Sequence, residues 1–336
     1  MQILRKLLLP FSLIYLLITA VRNYFYNTGV FKAVSFDIPV IAIGNLSTGG
    51  TGKSPQTEYL IRLLKDNFRV ATLSRGYKRK SKGYILADEN SNAEILGDEP
   101  YQFHHKFPNI NVAVDANRKN GIENLLLLKP RPEVIILDDA YQHRRVKAGF
   151  YVLLTAYGDI YADDFLLPAG NLRESRSGAK RADIIIVTKC PAGISEIEQA
   201  AIVKKLKSQP GQKVYFTSIK YDNYIYNSID AIPVDEVKKQ GKVLVSGIAK
   251  PQPFYNYLQQ PNDVLLSYPD HHDFSEKDVT DIKAAANGSL IITTEKDYVR
   301  LKDKMIPNLY YLPIKTDFLK GAEDFNEAIL EFIKKA

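Results

Sequence analysis

Eight residues between two predicted elements hold the chain's clearest chemistry: Ser47-Thr48-Gly49-Gly50-Thr51-Gly52-Lys53-Ser54. Glycines this dense let successive backbone N–H groups curl around phosphate oxygens. A lysine followed by a hydroxyl then offers a charge for the β/γ-phosphates and a ligand for Mg²⁺. The pattern is a Walker A loop except at its first position, where Ser47 stands in place of glycine. An apolar run, IPVIAIG at 38–44, leads in, and a helical pattern, QTEYLIRLLKDN at 56–67, leads out. Phosphate would therefore meet a helix N-terminus. Thr48, Gly49, Gly50, Thr51, Gly52, Lys53 and Ser54 are the expected binding set for ATP, with Ser54 on Mg²⁺.

The complementary acids close the run VIILDD at 134–139. A carboxylate at a strand's carboxyl end faces the nucleotide crevice of an α/β sheet, so Asp138 and Asp139 read as Walker B acids and metal ligands. A guanine reader has no support, because Thr188-Lys189-Cys190-Pro191 lacks its acid. A small-molecule kinase fits better than a motor or transporter. The competing reading is a membrane-associated ATPase that couples hydrolysis to domain movement.

Further polar sets need placing. Arg75, in Ser74-Arg75-Gly76-Tyr77, can clamp a phosphate. In Gly97-Asp98-Glu99-Pro100, Asp98 can cap a helix or orient an acceptor hydroxyl. Arg173-Glu174-Ser175 follows LLPAGN at 166–171, and His271 and His272 lie between Asp270 and Asp273. Thr294-Glu295-Lys296-Asp297 combines a helix cap with first-turn acids, and a site role and a structural one both fit it.

Positioning these residues requires a particular scaffold. Strand patterns at 38–44, 69–74, 83–88, 109–114, 133–139, 150–156 and 182–189 alternate with helical ones. Nearly continuous apolar runs imply a mostly parallel sheet covered by helices on both faces. The Tyr/Ile-rich stretches around Asp222-Asn223, within 212–232, read as a hairpin. Alternation resumes at 242 and ends in a helix over 323–334. The expected organisation is a helical segment at 1–35, a P-loop domain at 36–211, a two-stranded linker at 212–234 and a smaller α/β domain at 235–336.

Charge placement narrows the partners. Of the net +7, residues 1–36 hold Arg5, Lys6, Arg22 and Lys32 with no acid, and residues 69–82 hold six cations with no acid. Everything else is slightly acidic, which disfavours a general nucleic-acid coat and favours a local anionic surface or phosphate-bearing ligand. The lone Cys190 excludes an intrachain disulfide. Between Lys6 and Arg22 run fifteen uncharged residues, about 22 Å of helix and short of a roughly 30 Å hydrocarbon core. No small-residue cleavage site follows, so a signal peptide is disfavoured. An interfacial helix on anionic headgroups and a buried core helix remain.

Taken in order, GNLSTGGTGKSP (44–55), LSRGYKRK (73–80), GDEP (97–100), ILDDAYQH (136–143), LPAGNLRE (167–174), SGIAKPQPF (246–254), YPDHHDF (268–274) and TTEKDYVRL (293–301) resemble the bacterial tetraacyldisaccharide 4′-kinase family. The resemblance spans nearly the whole chain. It implies a P-loop kinase with a small second α/β domain joined by a two-stranded link. Its reaction passes the ATP γ-phosphate to the 4′-hydroxyl of a tetraacylated disaccharide 1-phosphate, giving lipid IVA for lipid A. It also implies residence at the cytoplasmic face of the inner membrane, peripherally or through residues 1–35, with no obligate protein partner and no nucleic acid. Carried onto this chain, Lys53 and Asp98 act in catalysis with His271, chosen over His272 as the partner of Asp98. Ser54, Asp138, Asp139 and Glu174 lie at the metal, and Arg75, Asn171 and Arg173 lie near substrate or phosphate.

Overall fold

The computed structural model describes residue 5 and residues 7–335. Helix α1 spans Leu9–Asn27, and strand β1, Val40–Asn45, then enters the core. There follow α2 (Lys53–Leu64), β2 (Val70–Ser74), β3 (Ile85–Leu86), α3 (Asp98–Lys106), β4 (Asn111–Val114), α4 (Arg118–Leu125) and β5 (Val134–Leu137). β6 (Phe150–Ala156), β7 (Ile184–Thr188), α5 (Glu196–Leu206) and β8 (Lys213–Tyr221) complete the first pass. The second unit holds β9 (Tyr224–Tyr226), β10 (Ala231–Pro233), β11 (Lys242–Ser246), α6 (Gln252–Leu258), β12 (Val264–Ser267), α7 (Glu276–Ala286), β13 (Leu290–Thr294), α8 (Glu295–Leu301) and β14 (Leu309–Leu312). The chain ends with β15 (Ile314–Phe318) and α9 (Ala322–Lys335).

The larger sheet has nine strands in the order β15-β8-β7-β6-β1-β5-β2-β4-β3, parallel from β8 to β4 and antiparallel at both edges. β1 and β2 are buried along their whole length, as expected for central strands covered on both faces. Ile41, Ile43, Leu60, Leu64 and Phe103 pack one face, and Ala42, Leu73, Ile122 and Ile135 the other. The smaller sheet, β10-β9-β14-β13-β11-β12, is parallel from β14 to β12.

Two expectations about the junction are corrected. The hairpin expected to turn at Asp222-Asn223 does not form: β8 pairs with β15 in one sheet, while within 212–234 the antiparallel pair is β9 with β10, which with β14 belong to the other sheet. Asp222 and Asn223 are absent from the residues with positive φ, and a two-residue reversal of type I′ needs positive φ at both positions. The chain instead runs straight on, and the Asp222 amide donates to the Pro313 carbonyl at 3.0 Å. The two-stranded link is therefore made by 213–226 running out and 309–318 running back, with Tyr226 opposite Tyr311 and Tyr221 opposite Ile314.

The second unit also ends earlier than 336. β15 and α9 belong to the first sheet and its core, where Phe325, Ile329 and Ile333 sit buried. Their spacing of four puts all three on one face of α9, and Phe325 packs against Tyr59 and Tyr215 from the first unit.

Helix α1 inverts the usual amphipathic arrangement, in which the apolar stripe faces the core. Its polar side faces the protein. Ser12 Oγ donates to the Leu166 carbonyl at 3.0 Å, Tyr15 to the Arg173 carbonyl at 2.9 Å and Arg22 to the Gln142 carbonyl at 2.8 Å. Its aliphatic side is open, with Leu13 67% and Leu17 65% exposed beside Phe11, Ile14 and Ile18. The buried-helix reading of this segment is thereby excluded. Among the described residues no helix is long and apolar enough to cross a membrane.

Candidate active site

The glycine loop sits between β1 and α2. Gly52 precedes α2 at φ 79° and Gly49 has φ 113°, a left-handed region where a side chain is strained. Asn45 Nδ2 donates to Thr51 Oγ1 at 2.9 Å, and Thr188 Oγ1 donates to the Thr51 carbonyl at 2.8 Å, so the loop is held from both flanks. No side chain caps α2 and no acid lies in its first turn. Its free N–H groups and positive end are suited to a polyphosphate. Ser47, the departure from the full motif, is buried and bridges to Leu172, while the Thr48 amide donates to the Asn171 carbonyl at 2.7 Å. The LPAGNLRE segment thus braces the phosphate loop from behind.

Asp138 follows β5 directly and is buried; Thr57 Oγ1 of α2 donates to it at 3.2 Å and Ser74 Oγ at 3.4 Å. Burial, with the neighbouring Asp139 charge, pushes its carboxyl up to about 6. Asp139 turns away at φ 44° and pairs with Arg173 at 2.9 Å and with Lys53 at 3.8 Å. The left-handed residue is what separates two acids that a regular strand would point to opposite faces. Among the described residues, no three or more His, Cys, Asp or Glu side chains gather as a metal cage. A buried carboxylate that takes hydroxyl donors and, among the described residues, no salt bridge, one of those donors coming from Thr57 in the same α2 turn as Ser54, fits a hard divalent ion whose remaining ligands are phosphate and water.

Glu174 needs correction as a metal residue. It is 3% exposed, forms a bidentate pair with Arg181 at 2.9 Å, and accepts from Gln142 at 3.0 Å and Asn23 at 3.1 Å. Those donors engage both its oxygens and tie α1 to the Walker B turn. Arg173 likewise is engaged by Asp139 and Asn45, and Asn171 Oδ1 accepts from Arg5 at 3.2 Å. Both support the loop from the protein side. Arg75 is exposed.

The acceptor side assembles across the domain cleft. Asp98 opens α3 without capping it, because the N-cap is Gly97 and no side-chain cap bond forms. Its carboxylate instead faces His271, with Oδ2 3.4 Å from Nδ1. Burial works against the Asp98 charge, but the groups packed on its carboxylate outweigh it and hold the carboxyl below its ordinary range. His272 turns to Asp278 at 3.0 Å, so of the two adjacent histidines His271 is the one brought to Asp98. Two close backbone approaches set this geometry. A Cβ on Gly97 would lie 3.0 Å from the Tyr77 carbonyl oxygen, and one on Gly247 would lie 2.9 Å from Asp297 Oδ1. The His271 amide donates to the Gly247 carbonyl at 3.1 Å. LSRGY thus meets GDEP, while SGIAKPQ, PDHH and TEKD meet one another.

This ordered assembly agrees with what the chain is similar to. The family model described as Tetraacyldisaccharide-1-P 4'-kinase matches residues 4–334. The chain belongs to the tetraacyldisaccharide 4′-kinase family. A tetraacyldisaccharide 4'-kinase of Flavobacterium johnsoniae is 60% identical over 100% of this chain and 99% of its own length, and that of Bacteroides thetaiotaomicron is 46% identical over 98% and 93%. The crystal structure of LpxK from Aquifex aeolicus in complex with ATP superimposes with a TM-score of 0.81 at 32% identity, covering 98% of this chain and 99% of that one. As a member of this family the chain is a phosphotransferase of lipid A biosynthesis that depends on ATP and Mg²⁺, takes a lipid substrate and associates peripherally with the membrane.

The kinase has site residues that the sequence reading left unassigned. Lys296 of the second unit pairs with Glu99 at 3.0 Å. Lys189 Nζ donates to the Gly50 carbonyl across the phosphate loop. Arg118 is fully buried and donates to the Asp115 carbonyl at 2.7 Å and the Asp138 carbonyl at 3.2 Å. Lys296 sits in TEKD and was legible as a candidate, Lys189 belongs in the sequence only to the unsupported guanine reader, and Arg118 lies in a segment with no distinguishing pattern. Beside α1 opens a cavity of about 510 Å³ lined by Arg22, Arg144, Arg145, His143, Tyr26 and Phe31. Burial first, and then the charges of Arg118, Arg145, Arg22 and Arg75, push His143 down to about 4.

Proposed function

We propose that this chain phosphorylates the 4′-hydroxyl of tetraacyldisaccharide 1-phosphate, with Asp98 and His271 as its acceptor-side pair. The observation that carries this reading is their meeting, one residue from each unit, 3.4 Å apart in the cleft. The acceptor oxygen attacks the γ-phosphorus in line, the bond to the β-phosphate oxygen breaks, and ADP leaves with that electron pair. The hydroxyl proton passes to the Asp98 carboxylate, which His271 flanks. Mg²⁺, held through Ser54 and Asp138, would offset charge on the phosphates. Lys53 stabilises the transferring group, Asp139 and Arg173 hold the loop's rear wall, and Lys296 draws the second unit down over the site.

The existing 1-phosphate of the acceptor is assigned to the arginine-lined cavity. Its cations suit a phosphate, and its position beside α1 supports acyl chains lying along the same apolar face. Residence at the cytoplasmic side of the inner membrane follows from the ATP requirement together with this face. Purified chain given γ-labelled ATP and disaccharide 1-phosphate tests the reading. Label should appear in lipid, whereas label only in free phosphate would establish an ATPase instead.

A further inference from the structure

Helix α8 begins with the unassigned TEKD segment, and one turn beyond Lys296 it carries another cation, Arg300. Arg300 Nε donates to Asp98 Oδ1 at 3.1 Å, and Nη2 donates to Asp98 Oδ2. The same Nη2 lies 3.0 Å from His271 Nδ1, while Nη1 donates to the His272 carbonyl at 3.0 Å. One guanidinium therefore touches both members of the acceptor-side pair and the backbone beside them.

A guanidinium has donors and no acceptor. The His271 Nδ1 facing it must present a lone pair, which puts the proton of the neutral ring on Nε2. That Nδ1 has no proton to give Asp98, so the 3.4 Å approach of Nδ1 to Oδ2 brings two acceptors together. Arg300 bridges them. The other charges around the pair do not duplicate this role. Lys296 is paired with Glu99, Asp297 accepts from Thr294 and Gly247, and Asp270 acts on Lys296 only through its charge.

We propose that Arg300 is a positioning residue for phosphoryl transfer, fixing Asp98 as a carboxylate and His271 as its Nε2–H tautomer. A lysine is a point charge with three donors and cannot span two carboxylate oxygens, a ring nitrogen and a carbonyl in one plane. The proposal rests on Asp98 and His271 acting at the acceptor hydroxyl.

The test compares full-length wild type with R300Q, R300K, R300A, D98N and H271A, using ¹⁵N imidazole spectra and label transfer to lipid. Wild type should show the Nε2–H tautomer at His271. R300Q should lose it and lower kcat about 10²-fold, with KM for ATP within about twofold, the loss expected when a catalytic pair is held out of register. R300K should recover no more than about a tenth of the rate, and methylguanidinium should restore part of the turnover of R300A but none of D98N. An Nδ1–H tautomer in wild type, or wild-type kcat with an unchanged tautomer in R300Q, overturns the proposal. Should R300Q fail to fold, R300K carries both readouts. Near-normal turnover in D98N and H271A would defeat the acceptor assignment and this proposal with it, and a tautomer shift still present in R300Q would mark that failure as the assignment's.

Discussion

Asp297 Oδ2 accepts the Gly247 amide at 2.9 Å and so ties the first turn of α8 to the residue whose carbonyl accepts the His271 amide. Thr294 Oγ1 also donates to that oxygen at 2.7 Å, and the Asp297 amide returns a bond to Thr294 Oγ1. The TEKD segment is therefore a brace for the acceptor-side histidine. D297A leaves a buried amide without its acceptor, which costs about 1–3 kcal/mol. Urea unfolding should show that loss, and D297N, which keeps a carbonyl acceptor, should lose less. Equal stability in wild type and D297A would remove the brace.

Lys53 opens α2, whose N-terminus has no side-chain cap, and together they are the proposed phosphate-binding end of the site. In K53A, ATP affinity should fall by about 10- to 100-fold, the worth of one charge-assisted bond. Calorimetric titration measures it directly, and wild-type affinity in K53A would dismiss the assignment of the loop.

The acceptor pair should behave in the opposite way. D98N and H271A leave the phosphate loop intact, so ATP affinity should stay within about twofold while label transfer falls about 10²- to 10⁴-fold. A parallel loss of ATP affinity in both would mean that these residues hold the nucleotide.

How much of this was legible in the sequence depended on the range of the interaction. The glycine loop and Walker B acids declare themselves locally, because backbone geometry and burial dictate residue types over a few positions. The arrangement of β8, β9, β14 and β15 did not, since Asp222-Asn223 permits a turn without requiring one and the deciding partners lie about ninety residues away. Helix α9 showed its apolar face clearly, but a face does not say which core will take it. Glu174 was expected at the metal because its partner Arg181, brought round by an intervening 3₁₀ turn, is not visible in the sequence. Arg300 meets Asp98 across 202 residues, a distance over which no local pattern speaks.

Asp138 supplies a pH prediction with a definite sign. Its carboxyl is raised to about 6 from 3.8, so the folded chain holds this proton more tightly than the unfolded one. The ligand-free protein is consequently favoured at low pH, and that contribution is lost as pH rises from about 4 through about 6, amounting to about 3 kcal/mol. D138N, neutral throughout, should unfold at higher urea than wild type at pH 7.5 and show no such difference at pH 4. It should also lose label transfer, since an amide is a poor Mg²⁺ ligand. Identical unfolding midpoints at pH 7.5 would show that the buried carboxylate carries no strain.

The apolar face of α1 can be tested without disturbing its polar face, which a deletion would also remove. Leu13 and Leu17 point away from the protein, whereas Ser12, Tyr15, Arg22 and Asn23 bind it. Each leucine buried in a bilayer contributes about 1.5–3 kcal/mol. Replacing both with serine should weaken binding to vesicles containing anionic phospholipid at least about tenfold. Adding salt should weaken the wild type further, because the attraction of the acid-free, basic stretch at 1–36 to anionic headgroups is screened. Turnover on detergent-dispersed substrate should change by less than about twofold, because no group at Asp98 or the glycine loop is altered. Vesicle sedimentation unchanged in L13S/L17S would show that the membrane is met through another surface.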